Sequence, residues 1–244
     1  GEGYRFGEKG TVYLLKDNQD LWVEGGKTTI KTGDNYESIT LGTLGELIVE
    51  GAATVNQEIT VTENSTLRIV SSSALDNLLL DPNIVGTLII DAPLDVVGAS
   101  NNSNGDLTIS GTLVINQALS VAGDLTMPGY PSVVTHDAGE TQSALTVGGT
   151  LSVGFLSRLD MTGKGLAAGE SIDSVTGQVI NTHVDNSRDG GSHGGAGGGS
   201  SPDTYGDARD PETLGGGGVS STWTWNLQNG GRGGGAMAIS ADTL

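Results

Sequence analysis

No cysteine occurs in the chain, so disulfides and thiolate metal sites are excluded and the redox compartment is left open. Aromatic residues make up only 4% of it, too few to centre a large globular core, so small aliphatic side chains must do the packing. Lys and Arg number 11 against 29 Asp and Glu, a formal net charge of -18. Such a surface repels phosphate backbones, which argues against nucleic acid and anionic membranes as partners, and it attracts cations, calcium above all. No apolar run approaches the roughly 18–20 residues that a bilayer-crossing helix needs, so no membrane span is expected. Proline is scarce, and N-cap to C-cap signatures at helical spacing are nearly missing, which predicts very little helix. The acidic residues are scattered rather than blocked, the pattern of a solvated folded surface.

Glycine, by contrast, is plentiful at 41 of 244 residues, without the Gly-X-Y period of collagen. Repetition is plentiful too. From Leu107 the chain reads LTISGT, LVINQA, LSVAGD and LTMPGY, and from Leu145 LTVGGT and LSVGFL. LIVEGA, ATVNQE and ITVTEN run from Leu47, and LIIDAP and LDVVGA from Leu88. In the unit L-x-[IV]-x-[GN]-x, residues i and i+2 point to one face of a strand, and a polar or glycine turn follows. A three-residue strand cannot bury its face alone, but stacked coils can, with β-branched residues in ladders along a narrow core.

The fold class that follows is all-β, a parallel β-helix or β-solenoid. Left-handed hexapeptide solenoids need a small residue at the second inward position; here both inward positions are large, which favours the right hand. At ~18–24 residues per coil and ~4.8 Å per stacked strand, roughly ten coils and a rod ~50 Å long are expected. The pattern divides the chain into residues 1–45, a cap or irregular first coils; 46–184, the hexad solenoid; 185–221, a glycine-rich ordered insertion; and 222–244, further solenoid strands. The closing GGGAMAISADTL stops where another strand and turn begins, so the chain is expected to be a piece of a longer protein.

Several residues invite chemistry. Asp185, Ser187 and Asp189, followed by Gly190, imitate the start of a calcium loop in which alternate oxygens converge on one cation. The Glu that would complete it six residues after the glycine is Ala196, and the same residues suit ordinary turns. His193 and Tyr205 lie near Arg209 in sequence: either a base and an anion clamp for cleaving a polysaccharide by elimination, or groups that hold a glycine-rich backbone in place. Trp223 and Trp225 alternate and share a strand face, as a sugar-stacking platform or as a lid over the core. His136 and His183 read as surface or turn residues. NST at Asn64 and NNS at Asn101 match glycosylation sequons.

The run GGSHGGAGGG, then YGDARDPETLGGGG, then GGRGGGAMAIS resembles a glycine-rich element of large extracellular proteins of bacteria and eukaryotes. It matches at Ser192 to Gly195, Tyr205 to Asp207, Pro211, Gly215 to Gly218 and Gly233 to Ile239. The hexads resemble the repeats of adhesin and autotransporter passenger β-helices. The resemblance implies a cell-surface or secreted β-helix and no defined activity.

The function expected on these grounds is structural or adhesive, a segment of an extracellular surface protein or fibre, with self-assembly or a cell-surface glycan as partner and no enzymatic role. A carbohydrate-active β-helix (polysaccharide lyase or hydrolase) is the alternative, and a viral receptor-binding fibre the third reading. The calcium expectation is checked by melting the protein with and without a chelator. A lowered Tm is expected if the cation is bound, and an unchanged Tm removes it.

Overall fold

The computed structural model describes residues 11–15, 20–71, 83–96, 104–181, 190–193, 204–207, 209, 212–218 and 230–244. Among them there is no helix, and every regular element is a strand; no helix is long and apolar enough to cross a membrane. The residues group into two compact units. The first comprises Gly1–Thr135, Ala144–Leu159 and Ile239–Leu244; the second comprises His136–Ser143 and Asp160–Ala238.

The first unit is a β-solenoid. Its longest sheet has seven parallel strands: Lys27–Ile30, Glu46–Val49, Thr66–Ile69, Thr87–Ile90, Thr112–Ile115, Val133–Thr135 and Arg158–Leu159. A second face holds Asn35–Tyr36 on Thr54–Val55, then Leu94–Val96 on Ala118–Val121. The third runs from Asp20–Glu24 through Ile39–Leu41 to Ile59–Val61, then from Asn83–Ile84 through Leu107–Ile109 to Leu125–Met127. The ten-residue strand Ala144–Val153 serves both, pairing Ala144–Val147 with the second face and Leu151–Val153 with the third. Coil steps range from 18 residues (Leu21 to Ile39) to 26 (Leu125 to Leu151).

Period 2 explains why these short strands hold. Leu47, Leu67, Leu88, Leu113 and Val134 stack in register and are fully buried, and so do Ile30, Val49, Ile69, Ile90 and Ile115 two residues on. Each buried Leu, Ile or Val contributes about 1.5–3 kcal/mol against its exposed state. Between them stand Ile48, Arg68, Ile89 and Val114, while hydroxyls fill other alternate positions: Thr66, Thr87 and Thr112 in the column just before the leucines, Thr108, Thr126 and Ser152 on the third face. Corners are tied coil to coil as well. Asp106 Oδ1 accepts the Asp124 amide (2.8 Å), and Asp124 Oδ1 accepts the Thr150 amide one coil further (2.7 Å).

Coils in regular register begin at Asp20, within the 1–45 stretch, and Thr11–Leu15 lies antiparallel along the outer edge of that first strand. An antiparallel partner closes an edge that would otherwise template further pairing. At the other end the long sheet stops at Leu159, inside the stretch assigned to hexads through residue 184, and the later strand Ala238–Thr243 pairs with Ala144–Val153. About six coils therefore form rather than ten, a stack of about 29 Å, because Asp160–Ala238 belongs to the second unit.

The second unit opens with a hairpin, Glu170–Ile172 antiparallel to Val179–Asn181. Its turn is set by Asp173, whose carboxylate accepts the Thr176 amide (2.6 Å), the Thr176 hydroxyl (2.9 Å) and the Val175 amide (3.0 Å). Those bonds, the Thr176 amide first, hold Asp173 below the ordinary carboxylate range. The rest of the unit is glycine-rich.

Leu88→Ala should cost about 2–5 kcal/mol by emptying the middle of the inward column. Thr87→Ala, one residue away but facing outward, should stay within about 0.5 kcal/mol. Urea unfolding of the two variants checks the assignment of faces.

Candidate functional site

The glycine-rich element is the site that composition singles out, and its geometry is a bundle of extended segments without strand ladders. Gly215–Gly218 runs through the middle. Gly215 and Gly218 donate to the carbonyls of Gly234 (2.8 Å) and Gly231 (2.9 Å) on one side. Gly217 donates to Glu170 O (2.9 Å) on another, and the carbonyls of Gly215 and Gly218 accept from Leu166 (3.0 Å) and Gly169 (3.0 Å). On a third side a Cβ at Gly216 would meet the Ser192 carbonyl at 2.8 Å. Extended chains without internal hydrogen bonds send their amides sideways to several neighbours, as Gly215, Gly217 and Gly218 do. The cost of ordering glycine is offset because nothing larger fits: a Cβ on Gly217 would collide with the Ala167 carbonyl, and one on Gly233 with that of Gly215.

Tyr205 sits at the apolar end of this bundle. It is buried with Leu166 and Leu214, and Ile172 and Ala236 pack against the cluster. Its hydroxyl donates to the Leu214 carbonyl at 2.6 Å, and burial pushes the phenol up to about 12. His193 stands edge-on to the Tyr205 ring, with centroids 5.3 Å apart at 88°, and its Nε2 is 3.0 Å from Thr213 Oγ1. Sequence proximity thus becomes contact for His193 and Tyr205. Arg209 is exposed, and its backbone amide donates to Asp207 Oδ1 (2.8 Å) in a local turn. Asp185, Ser187, Asp189, Trp223 and Trp225 lie outside the described residues, as do His183 and Asn101.

One expectation is corrected. His136, read as a surface or turn residue, is completely buried, with Nδ1 2.6 Å from the Asp137 carbonyl and its ring against Gly235, where a Cβ would strike Nε2. A polar sequence neighbourhood hid this, because the glycines that cover the ring come from a segment about a hundred residues later. Among the described residues no three His, Asp or Glu side chains converge as a metal ion would require.

A second site, unmarked by any motif, lies on the solenoid corner that joins the third face to the long sheet. Corner length varies from coil to coil. Four residues turn it at Thr62–Ser65 and five at Pro128–Ser132, each closed by a bond to the third residue back: Ser65 to Thr62 O (3.2 Å) and Ser132 to Gly129 O (2.8 Å). In the two coils between, only Val85–Gly86 and Ser110–Gly111 make the turn. Those short corners are drawn inward: Val85 and Gly86 donate to Val61 O (3.2 and 3.3 Å), and Ser110 and Gly111 to Ile84 O (2.8 and 3.1 Å). A Cβ on Gly111 would collide with the carbonyls of Val85 and Gly86, so the floor stays low only with glycine there. The result is a notch of about 410 Å³, lined by Glu63, Val85, Ser110 and residues 128–132, with Tyr130 75% exposed on one wall. The signal for it is present in the sequence as the number of residues between successive inward aliphatics, a spacing that searching for catalytic residue types passes over.

No family model, no curated protein and no solved structure matches the chain.

Tyr205→Phe leaves the buried Leu214 carbonyl without its donor and should destabilise the second unit by about 1–3 kcal/mol in thermal or urea melts. The phenol also sets a pH signature. Below its ordinary value of 10.0 both folded and unfolded chains keep the proton; from 10 to about 12 only the folded chain does. Stability should therefore fall as pH rises through that window, and more steeply in the wild type than in Tyr205→Phe.

Proposed function

We propose that the chain is a structural or adhesive segment of an extracellular surface protein or fibre. The observation that supports this best is the division of labour in the solenoid. The inward columns of Leu, Ile and Val carry the stability, while outward columns at one coil spacing present hydroxyls (Thr66, Thr87, Thr112; Thr108, Thr126, Ser152) and, on the long sheet, Ile48, Arg68 and Ile89. Such a scaffold places surface groups rigidly along a rod without drawing on them for folding, which is what a stalk or an adhesin needs. Strong negative charge favours neutral or cationic contacts.

The reading as a polysaccharide lyase leaned on His193, Tyr205 and Arg209, and their environment argues for support instead. A phenol held up to about 12, whose hydroxyl is already donated to a backbone carbonyl, is a poor base at neutral pH. Resemblance to extracellular β-helix repeats points the same way, and self-assembly or a surface glycan is the partner it suggests.

Two measurements made together test the proposal. Negative-stain imaging and light scattering should show polymers or ordered arrays of the chain. Incubation with plant, algal and bacterial polysaccharides should release neither reducing ends nor unsaturated products; catalytic release by discrete monomers would replace this reading with the enzymatic one.

A further inference from the structure

We propose that the notch between the Thr62–Ser65 and Pro128–Ser132 corners binds a pyranose unit of a neutral glycan, with Tyr130 as its stacking surface. The inference rests on the adhesive reading and names the contact that adhesion would use. Four observations converge on that ligand class.

Size comes first. The notch measures about 410 Å³, within the roughly 300–1,000 Å³ of small-ligand sites, and its walls stand three coil steps apart, about 14 Å between backbones. Shape comes next, since the notch has one open aromatic wall. Tyr130, between Gly129 and Pro131, exposes 75% of its surface beside a low floor, where an exposed tyrosine presents an apolar ring with a polar tip. The C–H face of a sugar ring suits that combination better than a peptide side chain or a flat aromatic ligand does.

Polar groups then select hydroxyls. Ser110 lines the notch with its Oγ donating to Asn83 Oδ1 (2.9 Å), leaving the oxygen lone pairs as acceptors for a ligand hydroxyl. Ser132, on the same lining, is buried and its Oγ has no hydrogen-bond partner among the described residues. That Oγ is sealed from solvent behind the wall, so Ser110 is the hydroxyl that the notch presents to a ligand. Charge excludes the acidic sugars: Glu63 is the charged member of the lining, and the chain as a whole carries -18. Sialylated and uronic-acid glycans meet repulsion, whereas neutral hydroxyls can donate to the Glu63 carboxylate.

The corner is also a sensible place for recognition. Its exposed residues, Glu63 and Tyr130 among them, lie outside the inward columns, so their identity can change without disturbing those columns.

The test uses saturation-transfer NMR and titration of the whole chain against cello-, manno-, xylo- and chito-oligosaccharides, with sialyl-lactose and oligogalacturonate as anionic controls. At least one neutral series should bind, and neither anionic control should. Tyr130→Ala should weaken binding about tenfold with an unchanged Tm, Tyr130→Trp should retain or strengthen it, and Ser110→Trp, which fills the floor, should abolish it. Trp22→Ala, an exposed aromatic lost from the first coil, should bind as the wild type does. Preference for the anionic controls, equal binding by Tyr130→Ala, or no saturation transfer from any neutral series overturns the proposal. Those failures leave the structural reading standing, since particle imaging and product release decide it independently.

Discussion

Coil-to-coil register is the constraint on which the solenoid depends. Each strand of the long sheet pairs residue for residue with the next, so that Leu67 sits between Leu47 and Leu88, and Ile69 between Val49 and Ile90. Because strand side chains alternate with a period of two, a slip of one residue would turn Leu67 and Ile69 out to water and Thr66 and Arg68 inward. Backbone bonding alone would tolerate such a slip; the buried columns do not. Everything else in the unit is free to vary only insofar as this register survives, and coil length uses that freedom fully, from 18 to 26 residues per step.

Variation is absorbed at the corners, which is why the corner is where individuality accumulates. Two-residue corners with glycine hug the preceding coil, while longer ones such as PGYPS stand proud and expose their side chains. A notch follows from nothing more than two short corners between longer ones. The polar network on the outer surface is a weaker influence. Lys27 and Glu46 pair at 2.9 Å in an exposed position, where such a pair contributes at most about 1 kcal/mol, whereas Arg68, Asp91 and Asn116 link three successive coils and are better sheltered.

The second unit solves the packing problem by the opposite means. It has few aliphatic side chains to bury, the Leu166, Tyr205 and Leu214 cluster being its described core, and it relies instead on backbone approaching backbone. Hydrogen bonds between extended segments need short separations, and those separations need glycine, so the anomalous composition and the ordered structure have one cause. His193 and Tyr205, which attract notice as a catalytic pair, act here as supports: Tyr205 packs at the bundle's apolar end with its hydroxyl on the Leu214 carbonyl, and His193 stands edge-on to its ring.

The sequence by itself determined the all-β solenoid, because a two-residue inward repeat of large aliphatics separated by turn residues has no other way to bury itself. Only the tertiary structure decided how many coils form, since the long sheet stops at Leu159, within the stretch 46–184 that the hexad pattern assigned to the solenoid. It alone decided that His136 is buried, because residues distant in sequence cover it. And it alone created the notch, whose floor and walls come from four coils and whose existence depends on their alignment, a three-dimensional relation that no local stretch of sequence contains.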